Sequence, residues 1–171
     1  PKLGMHFRGK RGSADRIREA WTQGEDEDNR YWFPGWDYPN DTFTVQTTLT
    51  VPSDLQAVAV GRLIEERPAE TGWKTVVHRM DKPITNYLVA AIVGDYAIYR
   101  QEGFVPFEYI VPKQVSEKTA IETLGDAVEM MNYYNELLGT PYPYTVYRQA
   151  LVQRFMYGGM ENPTLTVIDD D

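Results

Sequence analysis

Residues 42–52, TFTVQTTLTVP, alternate with a period of two. Phe43, Val45, Leu49 and Val51 point one way, and Thr42, Thr44, Gln46, Thr48 and Thr50 the other. That alternation predicts a half-buried antiparallel strand, stopped by Pro52. LQAVAVG follows and closes on Gly61. TGWKTVVHRM starts from a Thr71-Gly72 turn, and the long run ITNYLVAAIVGDYAIYRQ begins after Pro83, with Gly94 marking a bulge or bend inside it. Short strands at this spacing, with no helix between them, predict an antiparallel sandwich or saddle-like sheet.

Beyond Gly103 the pattern changes. FEYIVP reads as one more strand. Ser116 then stands where an N-cap belongs, with Glu117 in the first turn. Ala120, Leu124, Ala127, Val128, Met131 and Leu138 recur every three or four residues, which predicts a single long helix with one apolar stripe. Gly139 takes the position after the last turn and Pro141 prevents continuation. PYPYTVYRQALVQ returns to extended structure. The whole is mainly β with a small α/β part: an all-β region over 1–103, then the opening strands and helix of an α/β region over 104–171.

Composition narrows the function. A net charge of −8 over 171 residues argues against a nucleic-acid partner, since phosphate binding needs clustered Lys and Arg. With no cysteine, disulfide scaffolds, thiolate zinc sites and cysteine nucleophiles are excluded. The two histidines, His6 and His78, are far apart and in no ligand spacing, so both read as ordinary strand or surface residues and no metal ligand is assigned. No apolar run approaches the roughly 20 residues of a membrane-spanning helix. The start, PKLGMHFRGKRG, has neither an initiator Met nor a signal peptide's apolar core, and reads as a chain entered partway.

Three segments carry candidate chemistry. In YGGMENPTLT, Gly158 and Gly159 leave room for another backbone, and Glu161 beside such an edge is placed to accept charge-assisted hydrogen bonds from an ammonium group. Alone, the stretch reads first as a glycine turn, a core Met160 and a polar loop holding Asn162. In WTQGEDED, Gln23 and Glu25 are two apart and share a face if the segment is extended; the competing reading is a solvated acidic loop. RYWFPGWDYP, with two prolines among Trp32, Phe33, Trp36 and Tyr38, reads as a packed corner fixed by an Arg30–Asp37 ion pair.

Taken together, the three segments resemble the M1 zinc metallopeptidases, the family of aminopeptidase N and leukotriene hydrolase. YGGMENPTLT is similar to that family's G-x-M-E-N exopeptidase motif, TQGE to its upstream T-Q-x-E/Q segment, and RYWFPGWDYPNDTFT to its R-x-x-F-P-C-F-D-E-P signature, with Gly35 in place of the usual Cys and Tyr38 in place of the usual Glu. The resemblance runs from about Trp21 to the end of the chain.

It implies the later portion of an N-terminal antiparallel β domain, followed by the start of a thermolysin-like catalytic domain that stops before the zinc-binding helix. The parent would be a zinc-dependent aminopeptidase acting on peptides with a free N-terminus. In it, Glu161 and Glu25 hold the α-ammonium, Gln23 lines the first pocket, and Gly158, Gly159, Met160 and Asn162 run beside the substrate. The resemblance also implies a cis peptide bond at Glu25-Asp26. Zinc ligands, general base and oxyanion-stabilising Tyr are expected downstream, so this chain alone would bind no catalytic zinc and show no peptidase activity. Its catalytic-domain portion would expose apolar surface that the remainder of that domain covers. A non-catalytic aminopeptidase-like scaffold and a bifunctional aminopeptidase with epoxide hydrolase activity stand as alternatives.

Overall fold

The computed structural model describes residues 3–9 and 18–170; of the N-terminal dodecapeptide, residues 1–2 and 10–12 lie outside the described residues. Among the described residues twelve strands form three sheets. The first sheet joins β1 (Gly4–Arg8), β2 (Glu19–Gln23), β4 (Gln56–Ala59) and β7 (Ala91–Gly94) in the order β1-β2-β7-β4, every pair antiparallel. The second places β6 (Trp73–Ile84) between β3 (Phe43–Pro52) and β5 (Arg62–Pro68), also antiparallel. The third is mixed, in the order β11-β12-β10-β9-β8. Its centre, β9 (Phe107–Pro112), β10 (Tyr147–Val152) and β12 (Thr166–Asp169), is parallel. The edges β8 (Tyr96–Gln101) and β11 (Gly159–Met160) run antiparallel to it.

The alternation in β3 is borne out: Phe43, Val45, Leu49 and Val51 are the more buried positions, while Thr44, Gln46, Thr48 and Thr50 are exposed. β5, RLIEERP, has no counterpart in the sequence reading. Every residue of it is exposed, so it carries no alternation to detect. The long run after Pro83 is not one strand. It makes a single 3-10 turn at Asn86–Leu88, then β7, then β8, and the break at Gly94-Asp95 is where the chain leaves the first sheet for the third. Gly94 is required there because a Cβ would stand 2.6 Å from the Tyr96 ring.

The single helix expected after Ser116 is two: α1 (Glu117–Leu124) and α2 (Ala127–Leu138). Ser116 caps α1 by accepting from Thr119 N at 3.1 Å, and Gly139 ends α2 in the left-handed region at φ 60°. The interruption falls at Gly125, a weak helix former. Gly125 packs so tightly that a Cβ would meet the Ile121 carbonyl at 2.4 Å, and Val128 N reaches back only three residues, to Gly125 O at 3.2 Å. Ala120, Leu124 and Met131 are buried as expected, but Leu138 is 68% exposed.

Both faces of the third sheet are covered. Phe107, Tyr109 and Val111 pack with Ala120, Leu124 and Met131 of the helices. Ile110, Ala150, Val152 and Val167, on the opposite face, share one core with Trp21, Val58, Val60, Met80 and Ile92 of the other two sheets. Period-two alternation along β9 therefore sends side chains to two different cores, and the β8–β9 hairpin around residue 103 belongs to the same sheet as the last strand.

Arg148 fastens this seam. It is 4% exposed, and its Nε donates to Glu108 Oε2 at 2.6 Å while its Nη1 donates to the carbonyls of Gly61 (2.7 Å) and Thr164 (3.5 Å). Burial works against the Glu108 carboxylate, but the charge and hydrogen bonds of Arg148, with those of Arg100, outweigh it and hold Glu108 below the usual glutamate range. His78, also buried, is pushed from 6.5 down to about 4, first by burial and then by the Arg148 charge. Two outcomes follow. Arg148→Met leaves Glu108 only its exposed Arg100 partner and strands two carbonyls, and is expected to lower unfolding free energy by roughly 3 kcal/mol in urea titration. The unfolded chain protonates His78 before the folded one does. The neutral form therefore stabilises the fold fully above pH 6.5, and that contribution, about 3 kcal/mol, is lost as pH falls from 6.5 through about 4. His78→Leu should show correspondingly less acid destabilisation than the parent across that window.

Candidate functional site

β2 presents Glu19, Trp21 and Gln23 on one face, because side chains two apart point the same way. All three are buried, and they meet successive points of the segment that leads through β11. Glu19 Oε2 accepts from the backbone N of Gln153 at 3.3 Å. The Trp21 and Phe155 rings meet edge-on at 5.2 Å, and the His6 ring stacks on the Trp21 indole at 4.0 Å. Gln23, 1% exposed, donates from Nε2 to Met160 Sδ at 3.6 Å. The TQGE and GGMEN segments, 137 residues apart, thus touch through one buried contact.

From that contact the chain turns outward on both sides. β2 ends at Gln23, and residues 25–28 form a turn closed by Asp28 N donating to Gly24 O at 2.9 Å. Gln23 and Glu25 therefore do not share a strand face: the amide is buried and the carboxylate exposed. The extended reading fails because Gly24 is wedged in. A Cβ on it would stand 2.4 Å from Tyr87 O and 2.7 Å from the Asn29 side chain. The Glu25-Asp26 peptide bond is cis, as the resemblance implied. On the other side, Met160 is buried, Glu161 is exposed, and Asn162 is buried again, donating from Nδ2 to Leu88 O at 3.2 Å. Among the described residues neither Glu25 nor Glu161 forms an ion pair.

The two glycines play different parts. Gly158 has φ 72°, which a side chain would strain, and its carbonyl accepts from Asp169 N at 2.9 Å. Gly159 has only Val167 O, at 3.7 Å, near its would-be Cβ, so the outer side of the β11 edge strand is open. Thr164 closes the loop at φ 67°. It is held there because its Oγ1 accepts from Gly61 N at 2.6 Å and its carbonyl from Arg148.

The corner RYWFPGWDYP behaves in part as expected. Arg30 donates to Asp37 Oδ2 from both its backbone N (2.9 Å) and Nε (3.0 Å), and Trp32 and Phe33 pack against the main core. Trp36 and Tyr38 are exposed, their rings 5.4 Å apart and Trp36 Nε1 donating to Asn40 Oδ1 at 2.9 Å, so the packed corner is half as large as the aromatic count suggests. Sequence reading missed the residues that hold the Glu25 turn. Asn29, fully buried, donates to the carbonyls of Asn86 and Val89 (3.1 Å for the latter) and accepts from Trp32 Nε1 at 2.6 Å. Asn86 in turn donates to Trp36 O at 3.0 Å. An asparagine inside an acidic run carries no sequence signal for this role. Among the described residues, no three His, Cys, Asp or Glu side chains cluster as metal ligands, so zinc does not fit the residues of this site.

Because Gly24 lies against a carbonyl and a buried amide, Gly24→Ala is expected to lower stability by roughly 2 kcal/mol or more and to displace the Glu25 turn. Thermal unfolding measures the first effect. The chemical shifts of Trp32 Nε1–H, which depend on the Asn29 bond, report the second.

Residues 10–88 match the peptidase M1 N-terminal domain. The chain is 30% identical to aminopeptidase N of Acetobacter pasteurianus over 161 residues, covering 92% of this chain and 45% of that protein. It is 33% identical to aminopeptidase M1-D of Oryza sativa subsp. japonica over 147 residues, covering 84% and 16%, and 30% identical to aminopeptidase B of Rattus norvegicus over 150 residues, covering 87% and 22%. The chain thus spans less than half the length of each of these relatives. With the domain match over residues 10–88 and similarity to aminopeptidase N over 92% of its length, the chain belongs to the M1 peptidase family.

Proposed function

We propose that this chain supplies the amino-terminus-binding part of a zinc-dependent aminopeptidase, with Glu25 and Glu161 as the ammonium-holding carboxylates. The observation that carries the reading is the buried Gln23–Met160 contact, from which two exposed carboxylates, without an ion-pair partner among the described residues, emerge on neighbouring segments. A structural carboxylate is normally paired or solvated away from rigid anchors, whereas these two are each tied within two residues to a buried side chain. A free α-ammonium offers three donors, enough to engage both groups.

In this reading an extended peptide lies along the open edge of β11, where Gly159 has no side chain to obstruct it, and backbone hydrogen bonds set its register. Gln23 and Asn162, both buried, keep the two segments at fixed separation, so recognition works by preorganisation. The zinc chemistry of such an enzyme belongs to residues outside this chain. What these residues do is bind and orient the substrate's first residue. The same reading gives the exposed apolar face of α2, with Met130, Tyr133, Tyr134 and Leu137, an occupant: the remainder of the catalytic domain.

The test uses the longer protein that carries this sequence, assayed on an aminoacyl anilide. Glu161→Gln keeps shape and removes charge. Each charge-assisted bond to the ammonium contributes roughly 1.5–3 kcal/mol, so kcat/KM should fall about 10- to 100-fold. An unchanged kcat/KM refutes the assignment and favours a scaffold that has kept the fold without the activity.

A further inference from the structure

The buried carboxylate of Glu19 has no place in the recognition just described. It is 5% exposed and sits at the meeting point of three elements. Tyr96, at the start of β8, donates its hydroxyl to Oε1, and Gln153, at the end of β10, donates its backbone N to Oε2 at 3.3 Å. From β1, Arg8 Nη1 reaches the side chain of the same Gln153 at 2.9 Å. A cavity of about 350 Å³ opens beside the carboxylate, lined also by Arg18, Asp95 and Gln114, so the group is packed but reachable by water.

The register of β2 makes this cluster more than a local tie. Glu19 stands four residues before Gln23 on the same strand face, and Gln153 opens the segment that runs through Phe155 to Met160 and Glu161. The two segments bearing the ammonium-binding carboxylates are joined at one end by Gln23 and Met160 and at the other by Glu19 and Gln153, with Trp21 against Phe155 between them. Only the Glu19 fastening involves an ionisable group. We infer that Glu19 is a positioning residue: its carboxylate, by accepting from both Tyr96 and Gln153, sets how the Glu161 segment lies against the strand that carries Gln23 and Glu25.

This inference rests on the proposed role of Glu161 and adds to it a dependence on the charge of a distant residue. The ionised carboxylate accepts both bonds, whereas a protonated one, like a glutamine, keeps a single carbonyl acceptor for the Gln153 N–H and has to reverse the other bond, donating to the Tyr96 hydroxyl, with loss of the charge that strengthens both contacts. The titratable and charged groups facing Glu19 are Arg8 from β1, Arg18 preceding β2, Asp95 before β8, Tyr96 at its start, and Asp170 after β12. Burial raises the Glu19 carboxyl above its ordinary value of 4.5, against the hydrogen bonds from Tyr96 and Gln153 and the charge of Arg8, with Asp170 adding to the rise. Protonation therefore begins at a higher pH than for an ordinary glutamate, and Glu19→Gln reproduces the acid form at every pH.

The experiment compares KM and kcat for an aminoacyl anilide, from neutral to acid pH, in the longer protein carrying this sequence and its Glu19→Gln, Tyr96→Phe and Glu161→Gln variants. A trap that holds the ammonium equally in ground and transition states is read in KM. Glu19→Gln should raise KM by about tenfold at neutral pH with kcat nearly unchanged, a loss equivalent to one charge-assisted bond. The ratio of its KM to that of the parent should fall toward one as the parent's own Glu19 protonates. Tyr96→Phe, which removes one donor and no charge, should raise KM by about two- to threefold and keeps the test open if the glutamine variant fails to fold. A lowered thermal midpoint with KM unchanged at every pH would show Glu19 to be structural only and overturn the inference. If Glu161→Gln is itself without effect, the ammonium-binding reading fails, whatever Glu19 does.

Discussion

One buried guanidinium holds the two halves of this molecule in register. Arg148 reaches across from the parallel centre of the third sheet to Glu108 beside it, to the carbonyl of Gly61 where β4 gives way to β5, and to the carbonyl of Thr164 in the loop after β11. A buried cation is tolerated only where its donors are used, and here the partners lie on three separate stretches of chain. The arrangement thus permits little sliding of the mixed sheet over the antiparallel ones. Thr164 completes the lock, since Gly61 N donates to its hydroxyl while its own backbone is held in a left-handed conformation.

With the seam locked, the face of β2 can act as a template. Three buried side chains at alternate positions engage a backbone N–H, an aromatic ring and a thioether along one partner segment. The variety matters, because an apolar seam alone would tolerate a shift that these directional contacts do not. The carboxylates of Glu25 and Glu161 stand just beyond the last of them, exposed yet attached to rigid neighbours. For the proposed role, a rigid base and an exposed tip suit the binding of a small charged group, because the anchors limit the entropy lost on binding.

Much of this architecture was legible from pattern. The alternation of β3, the Ser116 cap, the Gly139 stop and the β-rich character of the first hundred residues depend on local rules, and the structure follows them. Failures occurred where local rules say nothing. β5 is exposed throughout, so its pairing with β6 leaves no periodic trace. The break between α1 and α2 reflects the tight approach of Gly125 to Ile121 and Gln101, not any loss of helical periodicity. Trp36 and Tyr38 look like core from their type alone, yet stand in solvent.

The candidate site divides along the same line. Residue types alone offered Gln23, Glu25 and the Gly158–Asn162 stretch as a glycine turn and an acidic loop with only candidate chemistry; the resemblance of three segments in order to the M1 family is what singled them out. That Gln23 is buried against Met160 while Glu25 turns away, that Asn29 and Asn86 hold the turn, and that Glu19 and Arg148 brace the segments from behind emerged only in three dimensions. The sequence by itself determined which groups are present and the local geometry each prefers, since those follow from neighbouring residues. The tertiary structure decided which groups meet, because contacts between residues 137 apart depend on how the sheets pack, and no local pattern encodes that packing.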